Sequence, residues 1–98
     1  MAPGQGRRRR WLSLHNATLD VGRFTFDVED SPVGGTVVVP RDELHNVFEA
    51  ERGETYSVSV AADDFGPKEY EWEVADGTES LVAELTEEGV TFKEMNLL

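Results

Sequence analysis

The sequence predicts an all-β fold: an antiparallel sandwich of about seven strands, of the immunoglobulin-like or prealbumin-like kind. Three observations predict it. Apolar residues recur at every second position rather than at intervals of three and four. Turn-forming clusters interrupt these runs at roughly 8–12-residue intervals. The chain has 98 residues, one domain's worth, and no cysteine. It must therefore hold itself together by packing, without a disulfide or a zinc–thiolate site.

The strands are legible in order. Leu12–Leu19 opens the series. Phe24, Phe26 and Val28 alternate with Arg23, Thr25, Asp27 and Glu29, which gives one oily and one wet face. The cluster Glu29–Gly35 reads as a turn, and Thr36–Val39 follows as a strand. Val37, Val38 and Val39 are consecutive, which suggests cover on both faces. Segment 41–51 stands apart: Leu44, Val47 and Phe48 sit at i, i+3 and i+4, a helical spacing. It reads either as a short helix or as a loop leading into a strand at 46–50. Either way these three side chains are expected to touch the core.

Beyond the turn at Arg52-Gly53-Glu54, Tyr56, Val58 and Val60 alternate with Thr55, Ser57 and Ser59. A loop at 63–67 leads to Tyr70, Trp72 and Val74, which alternate with Glu69, Glu71 and Glu73. Asp76-Gly77 is a two-residue hairpin signal. Leu81, Ala83 and Leu85 form the next strand, Glu87-Glu88-Gly89 turns the chain, and Val90–Met95 closes it. The expected core is Phe24, Phe26, Val28, Val37, Val39, Tyr56, Val58, Val60, Tyr70, Trp72, Leu81, Ala83 and Leu85. The glutamate row 69/71/73 reads as a solvent face, and as a guard against strand addition.

Charge is sorted along the chain. All 20 acidic residues follow residue 19, and four of the nine cations form the run Arg7–Arg10. The remainder has five cations against 20 acids, a net charge of −15. Residues 1–10 therefore read as a flexible basic tail, and 11–98 as a single acidic domain. In dilute salt such a charge pushes the compact state apart. At molar salt the Debye length falls to about 3 Å and the repulsion is screened. The lysine-poor, carboxylate-rich composition resembles that of salt-accumulating haloarchaeal proteins. Four arginines on a tail would bind phosphates by counterion release, a contact that molar salt weakens.

Residues 31–85 resemble the small prealbumin-like sandwich of carboxypeptidase regulatory-like and PEGA domains. The resemblance rests on Ser31-Pro-Val-Gly-Gly-Thr-Val-Val-Val39, on Gly53-Glu-Thr-Tyr-Ser-Val-Ser-Val-Ala-Ala-Asp-Asp-Phe-Gly66, and on Leu81–Leu85. The chain departs from that pattern in carrying Arg41–Arg52 where the family has a threonine–aspartate–x–x–glycine turn. The resemblance implies a non-catalytic accessory or binding module, with no motif residue to carry over as a site.

The chemistry-bearing residues agree with a module that is not an enzyme. Only His15 and His45 could act as bases near neutral pH, and no serine sits in a nucleophile elbow. The acidic groups at 27–30, 63–64 and 87–88 lack the ligand offsets of a calcium loop. No cofactor or metal is expected. Asn16-Ala17-Thr18 fits the N-glycosylation pattern, read here as chance. No apolar run follows the arginines as a secretory signal requires, and none approaches the roughly 20 residues that span a bilayer. The expectation is a cytoplasmic, non-catalytic structural or protein-interaction module of a halophilic organism. The alternative is a nucleic-acid-associated or virion structural protein that touches nucleic acid through Arg7, Arg8, Arg9 and Arg10.

Overall fold

In a computed structural model that describes residues 10–74 and 78–96, every regular element is a strand. The strands are β1 (Arg10–Asn16), β2 (Gly22–Val28), β3 (Gly34–Val39), β4 (Leu44–Ala50), β5 (Thr55–Ala62), β6 (Phe65–Glu73), β7 (Thr78–Thr86) and β8 (Gly89–Asn96). They form two four-stranded sheets, ordered β4-β1-β7-β8 and β3-β2-β5-β6. The all-β sandwich is thus observed, with eight strands rather than about seven. The Asp76-Gly77 turn lies outside the described residues.

The pairing adds what periodicity could not. β1 lies between β4, its antiparallel neighbour, and β7, to which it is parallel, with Trp11 opposite Ser80 and Asn16 opposite Leu85. The expected wholly antiparallel sandwich therefore contains one parallel pair. In an immunoglobulin sandwich the first strand pairs with the second; here it does not, so the connectivity is not the immunoglobulin one. The three hairpins β2–β3, β5–β6 and β7–β8 supply the local pairs.

Segment 41–51 contains no helix: Leu44–Ala50 is strand β4. Its register against β1 shifts between Leu12 and Ser13, which face Phe48 and Asn46, so Val47 is an extra, bulged residue. The bulge turns Val47 and Phe48 both into half-buried positions, and this is the source of the helix-like spacing. Leu44 itself is exposed, so of the three expected core contacts it is the one not made.

The core lies between the sheets. Trp72, Phe24, Leu81 and Leu85 are fully buried, and β2 alternates buried and exposed along its whole length. Val37, Tyr56 and Tyr70 are half-buried and pack against the core from its margins. Leu12, Leu14 and Val90 join it from β1 and β8. Val38 is exposed, so β3 is covered on one face only. An aromatic chain runs Phe48–Tyr56–Trp72, with centroids 5.1 and 6.1 Å apart, and Tyr70 stacks on Phe92 at 5.1 Å. These contacts join β4 to β5 and β6 to β8 from one sheet to the other. Gly53 (φ 89°) and Gly89 (φ 124°) occupy turn positions that a side chain resists.

Candidate functional site

Four connections meet at one end of the sandwich: residues 17–21 after β1, 40–43 after β3, 63–64 after β5 and 87–88 after β7. One buried side chain ties two of them to the core. Asn16, the last residue of β1, is fully buried. Its Nδ2 donates to the carbonyls of Asp20 (2.7 Å) and Val39 (2.9 Å). Its Oδ1 accepts from the Thr18 backbone N–H (2.9 Å) and the Thr18 hydroxyl (2.7 Å). The backbone continues the tie, since Asn16 N–H donates to Glu43 O and Asp42 N–H to Asn16 O. Asp63 binds the β5–β6 turn to β2, its carboxylate accepting from the Arg23 N–H at 3.0 Å. Phe65 lies against Gly89 and so meets the β7–β8 turn.

These fixed loops present an unusual surface. Among the described residues six large apolar side chains are substantially exposed, and five of them gather at this end. They are Leu19 (72%), Val21 (60%), Val38 (50%), Leu44 (50%) and Phe65 (37%). Met95, toward the far end of β8, is the sixth. Acids surround them: Asp20 in the first loop, Asp42 and Glu43 in the second, Asp63 and Asp64 in the third, Glu87 and Glu88 in the fourth. Arg41 is the only cation within those loops. Apolar side chains held out in water on a hydrogen-bonded frame are what a docking surface requires.

The comparisons add no relative. No family model, curated protein or solved structure matches this chain.

The residues singled out in the sequence fall elsewhere or take other roles. Arg7, Arg8 and Arg9 lie outside the described residues, whereas Arg10 is the first residue of β1, opposite Ala50. The asparagine of the glycosylation pattern is Asn16, whose amide is buried and committed to two carbonyls. That amide is unavailable to a glycosyl donor.

Each histidine meets a carboxylate. His15 Nδ1 lies 2.9 Å from Glu84 Oε2, and Lys93 Nζ lies 3.4 Å from Glu84 Oε1, on the outer face of the β1–β7–β8 sheet. Burial pushes the Glu84 carboxyl up. The hydrogen bonds from His15 and Lys93, with their charges, outweigh that and leave it below its ordinary value. His45 Nε2 lies 3.0 Å from Glu43 Oε1 at the loop end. Both rings thus hydrogen-bond to carboxylates, the arrangement in which an acid orients an imidazole.

Among the described residues no three His, Asp or Glu side chains come together to hold an ion. Asp27, Glu29 and Glu69 line an open depression of about 170 Å³ with Ser57 and Ser59, on the outer face of the second sheet. The glutamate row 69/71/73 does lie on an edge strand, β6, with its side chains in solvent. Tyr70 reaches across from β6 and donates its hydroxyl proton to Glu94 on β8. That bond, then burial and the nearby charge, raises the Tyr70 phenol above its ordinary value. Among the described residues no helix is long and apolar enough to cross a membrane.

The loop end itself was hidden in the sequence. Leu19 reads there as the last residue of a strand and Leu44 as a core contact of a short helix or a loop. The one available signal was Leu19-Asp20-Val21-Gly22, an apolar pair on either side of an acid and followed by a glycine.

Proposed function

We propose that this chain is a non-catalytic protein-interaction module of the prealbumin-like type, suited to concentrated salt, whose docking surface is the Asn16-anchored loop end. One observation carries the reading: exposed large apolar side chains concentrate at that end, on loops tied by hydrogen bonds to the buried Asn16. A solvent-facing apolar group on a mobile loop would collapse or be lost at little cost. Here the frame keeps Leu19 and Val21 out, so binding orders few additional groups and forfeits less entropy. The strand edges offer less. β6 is lined with glutamates, and β8 carries Lys93 and Glu94.

Site-specific photocrosslinking tests the reading. A crosslinker at position 19 is expected to yield protein adducts in cells, and one at position 71, on the outer face of β6, is not. Equal yields at the two positions would remove the loop end as the docking surface.

A further inference from the structure

The occupant of the loop end can be named from charge and topology, given the docking surface proposed above. The strand directions separate two unlike surfaces. β1 starts at one end of the sandwich with Arg10 and finishes at the other with Asn16. Arg10, which follows the basic run Arg7–Arg9 in sequence, therefore lies at the end opposite the acid-rimmed apolar loops. Six residue steps of β1 separate the two ends by roughly 20 Å. Covalent geometry keeps Arg7–Arg9 within about 10 Å of Arg10. A molecule's own loop end thus lies beyond the backbone reach of these arginines, whereas a second copy stacked beyond Arg10 lies within it.

We propose that the chain associates head to tail with a second copy of itself, Arg7–Arg9 of one molecule seating on the loop end of the next. Seven loop acids there face three arginines, and Leu19 and Val21 supply the apolar contact. Repulsion between two acidic bodies is least in this arrangement, because each contact pairs the one basic segment with the most acidic end. The two surfaces differ, so the contact is heterologous, and each added copy leaves one of each kind open. The near end also carries Glu29, Asp30, Glu51 and Glu54, which share it with Arg10 and Arg52. A tail folded back on those acids is the competing arrangement, and the test separates the two.

The test uses two full-length variants. One replaces the basic run (Arg7→Ser, Arg8→Ser, Arg9→Ser). The other blocks the loop end (Leu19→Ser, Glu87→Lys, Glu88→Lys). Sedimentation velocity is run at the lowest KCl that leaves the circular-dichroism spectrum folded. The parent is expected to self-associate, and each variant alone to lose that association by on the order of tenfold or more. Mixed together, the two form a 1:1 complex, because the intact arginines of the second meet the intact loop end of the first. Rising KCl weakens the association. A monomeric parent, a mixture that stays monomeric, or association that strengthens with KCl overturns the inference. Crosslinks from position 19 to other proteins, with none to the chain's own residues 7–9, would overturn it too and leave the docking surface standing.

Discussion

Asn16 is the side chain on which the loop end depends, and its removal has a calculable effect. Asn16→Ala deletes four hydrogen bonds and leaves the Val39 carbonyl facing the protein interior. A hydrogen bond contributes about 0.5–1.5 kcal/mol net, and a buried group left without its partner costs about 1–3 kcal/mol. Three of the four bonds are only part-buried, which places them at the low end. The expected loss is therefore about 3 kcal/mol. Urea unfolding followed by tryptophan fluorescence at constant KCl reads it. With a slope of about 1 kcal/mol per molar urea, the midpoint falls by about 2–3 M. Asn16→Asp sharpens the argument, because it keeps the shape and the acceptor for Thr18 but turns an oxygen toward two carbonyls. Its carboxyl is raised in the folded state. The variant's stability is present below the ordinary aspartate value near 3.9 and is lost as pH rises through the raised one. At pH 7 it unfolds more easily than the alanine variant, and the order narrows or reverses in acid. A midpoint shift under roughly 0.5 M for Asn16→Ala would refute the reasoning.

Other outcomes follow from the same structure. Trp72→Ala removes the largest fully buried side chain and is expected to cost about 3–5 kcal/mol, read in the same urea titration; a parent-like midpoint would mean that β6 faces the other way. The urea midpoint should rise between about 0.1 M and 3 M KCl as the −15 body is screened, and a flat profile would remove the adaptation to salt. Glu84 has a lowered carboxyl, so the stability it supplies is present above its ordinary value near 4.5 and is lost as pH falls through the lowered one. Glu84→Gln should therefore trail the parent at pH 6 and match it in strong acid; a pH-independent difference would break the link to His15 and Lys93.

The strands, the two-faced sheets and most of the core were legible in the chain. Side chains that alternate every second position must segregate to opposite faces once the backbone is extended, whatever that strand pairs with. Phe24–Phe26–Val28 and Leu81–Ala83–Leu85 needed no further information. Pairing is another matter, because it joins residues far apart in sequence. The parallel match of Trp11 with Ser80 leaves no mark on either segment. That pairing gives β1 a free edge for 44–50, and so draws into a strand residues whose spacing suits a helix. The bulge at Val47 then disguises the strand's own period. Asn16 shows the same division at the scale of one side chain. Locally it is a polar residue at a strand end, equally suited to solvent or to a sugar. Only the arrival of Val39 from the facing sheet, and of Asp20 from the loop, supplies the carbonyls that bury it. Composition and periodicity thus determined an acidic two-faced β protein. Long-range pairing alone decided which end would carry the exposed leucine and valine, because a loop's position depends on where its strands find partners.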